Sequence, residues 1–591
     1  MPTDELAFYD ENIPCLAACP VHTNAGMYVA AIADGDDEQA YLTARLPNPF
    51  ASVCGRVCAA PCEDACRRGQ IDRPIAIRAL KRFVTEQFGP EQGHGEAWEK
   101  VAAPPERDRP ESIGIVGGGP AGMAAAHDLR RFGYQVAVYE ATDKLGGAMW
   151  LGIPEYRLDR HVLASDIQAI VDLGVEVHTD TQLGRDVTLA ELRERHDAVF
   201  LGIGATLGRG LDIEGGDADG VFKAIEFLIN MNRGFEVNVG ERVLVVGGGD
   251  VAMDAARTAL RASDYAADGD STADRASMTE ALDVARTAAR AGAREIRVMS
   301  LESREEMPAH DFEIEEAEHE GITFSPRRGP KRILVENGTV VGMETVGVCS
   351  VFDDEGRFAP VFDDDDLGQF DADTVILAIG QAIDLDSLGD NGPDISPRRT
   401  IQIDNDTGAT SLADVWSGGD AAKGPRTLID AIADGRRAAA DIHRHFGNEP
   451  AEPDRGHLVK LEQFHRLDDL YDRQGRVDVP TLETGRRMGL AEVELGFTEQ
   501  QARCEASRCL RCFANILLDV QKCVLCALCS DVCPVDVISL TPAEEVGGPA
   551  GQTALLLDEE RCIRCGLCIE RCPPDALSMG MWTGIGVPTW Q

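Results

Sequence analysis

The chain has 591 residues and a formal net charge of −44, too long for a single core and acidic enough to repel nucleic acid and anionic lipid, so neither is an expected partner. Only 8 of the 57 basic residues are Lys, and a surface so rich in Asp and Glu points to a salty, halophilic cytoplasm where screening relieves self-repulsion. No apolar run is long enough to span a bilayer, and the start, MPTDELAFYDENIP, is acidic where a signal peptide is basic and then apolar, so a cytoplasmic protein is expected.

Six of the 18 cysteines lie before residue 67, eleven lie after residue 503, and Cys349 stands alone between them. In a chain without an evident export signal this usage favours metal ligation over disulfides. The first group is Cys15-x3-Cys19-Pro20, followed by Cys54, Cys58, Cys62 and Cys66 at intervals of four. The i, i+4 spacing by itself fits a helix face with buried thiols, but six cysteines beside Gly55, Pro61 and Gly69 are poor material for ordinary packing.

Residues 112–140 read SIGIVGGGPAGMAAAHDLRRFGYQVAVYE. An apolar strand enters Gly117-x-Gly119-x-x-Gly122, a helix follows, and a second strand ends at Glu140. The glycines allow a tight turn and close pyrophosphate approach at a helix N-terminus, and Glu140 is placed to accept from ribose hydroxyls. A second unit, RVLVVGGGDVAMD, carries Gly247, Gly249 and Ala252 in the same three positions. Its acidic residue emerges once an insertion is removed: ARTALRA at 256–262 recurs as ARTAARA at 285–291, and excising 29 residues puts Glu302 21 positions beyond Ala252. The intervening acidic stretch is expected to be a surface excursion.

Further phrases (LGG with Gly147, GIPEYRL, FLGIGA, REEMPA, VILAIGQ and WSGGDAAKGPRTLIDAIADGRRAA) resemble the flavoprotein family of the glutamate synthase small subunit and the N-terminal half of dihydropyrimidine dehydrogenase, over most of residues 15–447. The resemblance implies that the first unit binds FAD, that the second binds the pyridine nucleotide, and that Gly419 and Asp420 complete the flavin site. It also implies an N-terminal helical domain holding two 4Fe–4S clusters. NADP-using relatives carry two arginines just before REEMPA. Here Leu301 and Glu302 stand there, and a glutamate suits a free 2′-hydroxyl, so NAD(H) is expected over NADP(H).

The family's opening phrase EA-x-RC-x-x-C is missing before Cys15 and stands instead at 505–512 as EASRCLRC. The displaced segment is therefore expected to fold back. By the resemblance, Cys15, Cys66, Cys509 and Cys512 would hold one cluster, and Cys19, Cys58 and Cys62 another. Relatives often take the last ligand from Gln or Glu, but the matching position is Lys81; a protonated lysine ligates nothing, leaving Cys54 as the replacement.

Two runs near the C-terminus share the form Cys-x2-Cys-x2-Cys-x3-Cys-Pro. In such ferredoxins the fourth cysteine serves the other cluster, so Cys523, Cys526, Cys529 and Cys572 form one set, and Cys562, Cys565, Cys568 and Cys533 the other. Zinc or a disulfide knot fits two complete copies poorly.

The expected architecture is multidomain: a helical Fe–S domain (1–105), two Rossmann-like α/β domains with the NAD(P) domain (216–381) inserted in the FAD domain (106–215 and 382–447), a connector with Cys509 and Cys512 (448–513), and an α+β ferredoxin domain (514–591). Its apolar tail, MGMWTGIGVPTW, is a candidate cluster cover or docking surface. The expected function is electron transfer between NADH, FAD and clusters, with ferredoxin or a partner oxidoreductase subunit at the other end and a hetero-oligomer as one arrangement. The alternatives are a glutamate synthase small subunit and a non-catalytic relay. No acid–base side chain is required, so no catalytic residue is nominated.

Overall fold

The computed structural model describes residues 13–93, 100–101, 108–235, 237–261, 293–449, 457–461, 474–487 and 489–583. The acidic insertion, part of the Pro-rich linker before Ser112 and the end of the aromatic tail lie outside these residues.

The chain begins with short helices: α1 (Ala25–Asp34), α2 (Asp37–Arg45), α3 (Ala51–Val57) and α4 (Ile77–Phe88). Asn24 and Asp36 cap the first two by accepting from Met27 and Gln39 N–H, which satisfies amides that a helix start leaves unpaired. Tyr28, Tyr41, Phe50 and Leu80 are fully buried among these helices.

Near-continuous apolar runs then build a parallel sheet buried on both faces. Strands β1 (Ser112–Val116), β2 (Gln135–Tyr139), β3 (Glu176–His178) and β4 (Ala198–Leu201) are joined through helix α5 (Pro120–Arg131), which starts with Pro at its first position. The chain leaves to make a second parallel sheet from β5 (Val221–Lys223), β6 (Arg242–Val246), β7 (Glu295–Met299) and β8 (Thr323–Ser325), with α6 (Asp250–Leu260) and α7 (Asp311–His319) packed on it. An antiparallel sheet follows, β9 (Arg328–Glu336), β10 (Thr339–Phe352) and β11 (Phe358–Asp371), and then β12 (Thr374–Leu377). β12 enters between β5 and β6, giving the order β5-β12-β6-β7-β8. Only after this does β13 (Val415–Ser417) return to the edge of the first sheet, in the order β13-β4-β1-β2-β3. The second nucleotide-binding unit is thus inserted in the first. Helix α8 (Leu428–His445), fixed by a Thr427–Asp430 capping box, closes over α5.

The segment between residues 447 and 514 binds both ends of the molecule. β14 (His457–Leu461) pairs antiparallel with the last strand of the ferredoxin sheet, which therefore takes a strand from the stretch read as connector. Arg487, nearly buried, reaches Glu316 and Glu320 at 2.6 and 3.3 Å, joining the α6–α7 ion network of Arg257, Arg261, Glu313 and Glu320. Glu492 and Glu494 pair with Arg82 and Arg78 of α4.

Helix α9 (Glu499–Ser507) then docks on α1. The lock is ionic and buried. Glu505 accepts from Ala76 N–H at 2.9 Å and Val477 N–H at 2.7 Å, and pairs with Arg508 at 2.6 Å. Arg508, with its side chain wholly covered, also meets Asp72 at 2.9 Å and the Arg73 carbonyl at 2.7 Å. At the surface of the same contact, Arg503 grips Asp37 and Arg511 pairs with Asp34.

The chain ends in a ferredoxin fold: β15 (Ala514–Leu518), β16 (Ile538–Pro542), β17 (Thr553–Leu557) and β18 (Leu577–Thr583), with β14-β18-β15 as one sheet and β16-β17 as a hairpin.

Because Glu505 satisfies two amides and one guanidinium out of water, Glu505→Ala should destabilise the docked helical region by about 3–5 kcal/mol, the cost of orphaning a buried charge. Anaerobic urea unfolding followed by far-UV dichroism checks it, and an unchanged midpoint would show that the lock carries no stability.

Candidate functional site

The first nucleotide site grows from the β1–α5 turn. A Cβ on Gly122 would lie 1.9 Å from the Gly117 carbonyl oxygen, so only a residue without a side chain lets the helix start there. Glu140, at the end of β2 and buried, accepts from Gly118 N–H at 2.8 Å and from Thr142 N–H and Oγ1 at 2.9 and 2.8 Å. The LGG loop closes over the turn: Gly146 N–H donates to the Gly118 carbonyl at 2.8 Å, and a Cβ on Gly147 would stand 2.8 Å from the Gly119 Cα. From β13 comes Gly419, whose N–H donates to buried Asp434 at 3.2 Å. The neighbouring Asp420 carboxyl is pushed up to about 6 by burial, with Asp434 and Asp430 adding to the effect. Asp434 was not singled out in the sequence, although it lies in the IDAIADGRR phrase. It gathers Lys423 at 2.9 Å, Arg426 at 2.5 Å and Arg437 at 2.5 Å, and thereby holds the loop around Gly419 in place.

The second site repeats this geometry. Ala309 N–H donates to the Gly248 carbonyl at 3.0 Å, as Gly146 does to Gly118. A Cβ on Gly248 would sit 3.0 Å from Glu302 Oε2, and one on Gly118 would sit 3.3 Å from Glu140 Oε2. Gly247, Gly249 and Ala252 occupy the turn into α6. Asp250, at the start of that helix, is held low by His310, to which it is paired at 2.8 Å despite the opposing effect of burial. Of the arginines close to Glu302 in the chain or by backbone contact, Arg304 pairs with Asp311 and Glu318, and Arg327, whose N–H donates to the Glu302 carbonyl, pairs with Glu306.

The cysteines fall into four groups. Burial pushes the Cys15 thiol well up, and Cys512, Cys509 and Cys66 are close enough to raise it further. Residues from both ends of the chain therefore meet at one place. Around Lys81, itself buried, lie Cys54, Cys19, Cys58 and Cys62; burial opposes its charge, but these four thiols raise its pKa. Cys58 accepts a hydrogen bond from Cys54, which pulls the Cys58 thiol down and drives that of Cys54 up. In the ferredoxin fold a small pocket is lined by Cys523, Cys526, Cys529 and Cys572. Cys568 is pushed up to about 12 by burial and then by Cys562, Cys565, Cys533 and Cys529. Among the described residues no three His, Cys, Asp or Glu side chains converge on a point that would hold a single metal ion. Cys523, Cys526, Cys529 and Cys572 instead line a pocket, which suits a cubane whose four irons take one thiolate each. Cys349 and Cys504 are exposed and stand apart from these groups. Lys81 escaped sequence reasoning as anything but a missing ligand; its place among thiols is legible only in three dimensions.

Shared apolar cores connect the N-terminal cysteines with their neighbours. Cys19, Cys54 and Cys58 share an apolar core with β1, β2 and α5. Cys15, with Cys62, Cys66 and Cys509 against it, belongs to the next core, which reaches Leu517 and Met581 of the ferredoxin sheet. Arg67, beside Cys66, donates to the Glu559 carbonyl at 3.3 Å, and Arg564, between Cys562 and Cys565, donates to the Ala514 carbonyl at 3.0 Å.

The family model described as pyridine nucleotide-disulphide oxidoreductase matches residues 111–435, that for dihydropyrimidine dehydrogenase domain II, 4Fe-4S cluster, matches residues 9–92, and that for a 4Fe-4S dicluster domain matches residues 522–576. The chain is 36% identical to the NADP(+)-dependent formate dehydrogenase subunit beta of Moorella thermoacetica, over 85% of this chain and 70% of that one. It is 34% identical to the NADPH-Fe(3+) oxidoreductase subunit beta of Geobacter sulfurreducens, over 87% and 77%. The glutamate synthase [NADPH] small chain of Azospirillum brasilense is 29% identical over 73% of this chain and 85% of its own.

Gly122→Ala places a methyl against the Gly117 carbonyl. The expected result is protein purified with less than about a tenth of its flavin, since relief requires moving the helix that faces the pyrophosphate. Flavin absorbance per protein measures this, and full occupancy would refute the assignment of the turn.

Proposed function

The chain belongs to the pyridine nucleotide-disulphide oxidoreductase family, and we propose that it works as an NADH-preferring, electron-transferring subunit that exchanges electrons with a partner oxidoreductase subunit or a ferredoxin. It is an FAD- and iron–sulfur-type oxidoreductase. The observation that supports the fuller reading is that the N-terminal cysteines share two apolar cores, one with β1, β2 and α5 of the first glycine unit and one that reaches the ferredoxin sheet.

Gly117, Gly119, Gly122, Glu140, Gly147, Gly419 and Asp420 would hold FAD, and Gly247, Gly249, Ala252 and Glu302 the nicotinamide nucleotide. The sixteen grouped cysteines would hold four 4Fe–4S clusters: Cys15, Cys66, Cys509 and Cys512; Cys19, Cys54, Cys58 and Cys62; Cys533, Cys562, Cys565 and Cys568; Cys523, Cys526, Cys529 and Cys572. When bound, a flavin supplies the conversion of a two-electron hydride into the single electrons that clusters carry. The residues themselves orient and exclude. Glu140 and Glu302 fix the riboses, the LGG and REEMPA loops seal the two glycine turns, and buried thiols keep the path dry.

Support for NADH comes from Glu302. Its carboxylate flanks the second glycine turn as Glu140 flanks the first, where it accepts from a ribose 2′-hydroxyl and repels a 2′-phosphate. The names of the formate dehydrogenase and Fe(3+) oxidoreductase relatives specify NADP(+) or NADPH, so this residue is the point at which the chain would depart from them. Support for a partner subunit comes from the same two relatives, each named subunit beta and each matched over more of this chain than the glutamate synthase small chain is.

Two outcomes are expected. NADH should give the higher kcat/KM in reducing ferricyanide, and Leu301→Arg with Glu302→Arg should move the ratio towards NADPH by about tenfold or more, equivalent to about 1.4 kcal/mol; a wild type that favours NADPH would contradict the role of Glu302. Cys509→Ser with Cys512→Ser should lose about 4 Fe per chain, one cubane, and leave the ferredoxin signals in the EPR spectrum of reduced protein. Retention of all iron would break the link between the fold-back and cluster binding.

A further inference from the structure

The two halves of the ferredoxin fold carry the same loop, and the chain treats them oppositely. In the second loop Ile563 is 8% exposed and Arg564 2%. Arg67 of the N-terminal domain donates to the Glu559 carbonyl just ahead of the loop, and Arg564 is held within the ferredoxin fold itself by the Ala514 carbonyl of β15. At the equivalent positions of the first loop, Val524 is 68% exposed and Leu525 39%, and Val520, the counterpart of Glu559, is 75% exposed. Cys526 is exposed as well, and it lines the cavity shared by Cys523, Cys529 and Cys572. Among the described residues the module thus has one loop covered and its twin exposed. Beside the exposed loop in the chain stand exposed Asp519 and Asp531, and exposed Asp575 lies between Pro574 and Ala576, which line the same pocket; Lys522 and Arg571 are exposed there too.

We infer that the loop at Val520–Cys526 is the port through which the clusters exchange electrons with a separate one-electron redox protein, one that presents an apolar face rimmed by Lys or Arg. This rests on the proposed function and names the partner surface for it. Charge selects the occupant: a second copy would bring its own acidic rim against this one, whereas a basic rim complements it, as Arg67 does at the covered twin. Apolar contact at the centre matters because it brings the two centres together with no water between, and Cys526 is the ligand-type side chain that reaches the surface. In the exchange one electron leaves the reduced cubane held by Cys523, Cys526, Cys529 and Cys572, one ferric haem or equivalent centre of the partner becomes ferrous, and no atom is transferred.

A lysine-rich cytochrome c is a suitable probe. Its ferrous form accepts no electron, so calorimetric binding to the full chain reads docking alone. Val520→Lys buries an unpaired ammonium in the contact and should raise Kd by about tenfold. Phe358→Lys, on exposed β11 of the nicotinamide unit, should leave Kd unchanged. Protein reduced with dithionite and mixed with ferric cytochrome c should then transfer electrons more slowly in the Val520 variant by about fivefold or more, while ferricyanide, small enough to need no docking, is reduced at the wild-type rate. Unchanged binding by Val520→Lys, or an equal loss in Phe358→Lys, would overturn the port. So would wild-type sedimentation as a dimer that Val520→Lys dissociates, since the loop would then be a self-contact. Failure of NADH to reduce wild-type clusters would count against the proposed function alone, because neither the binding nor the dithionite arm uses the nucleotide.

Discussion

Electrons tunnel only over short distances, so every redox centre in a chain of this length must have a neighbour. The contact that meets this requirement is the pair of buried Glu505 and Arg508, which Asp72 joins from the surface. It costs desolvation, and that cost is offset by the amides of Ala76 and Val477 and by the Arg73 carbonyl. With α9 fixed on α1, Cys509 and Cys512 stand beside Cys15 and Cys66. The ferredoxin fold, whose first strand begins two residues after Cys512, is then set directly against the helical domain. The remaining spatial order follows from that placement.

The two nucleotide sites are solutions to one problem, and their agreement extends past the glycine motif. In each, a carboxylate from the end of the second strand flanks the middle glycine, and a loop donates an amide to that glycine's carbonyl. What differs is what surrounds the carboxylate. Glu140 already accepts from the Gly118 and Thr142 donors, which leaves one acceptor site on Oε2, whereas Arg304 and Arg327 by Glu302 pair with other acids.

Much of this was legible in the sequence because it depends on local spacing. The glycine turns, the strand–helix–strand order and the paired Cys-x2-Cys-x2-Cys-x3-Cys-Pro runs are short-range patterns, and the structure builds each where the pattern stands. The insertion of one unit in the other was legible through the family resemblance. Other features are set by contacts between distant segments, which leave little trace in a single sequence. The strand His457–Leu461 has an alternation too short to announce a sheet partner more than a hundred residues away. Asp434 looks like any acidic residue on a helix until three cations and the Gly419 amide are seen around it. The difference between the two ferredoxin loops is invisible in their matching spacing, since it arises from what packs on each loop in three dimensions.

The strand donated at His457–Leu461 makes the ferredoxin fold something other than a cassette hung on a tether. Its sheet is completed by chain that precedes α9, while thiols placed just before its own first strand stand with those of the amino terminus. Neither half can be excised, shuffled or swung away without opening the other. The relative placement of the two halves is thus settled when the chain folds.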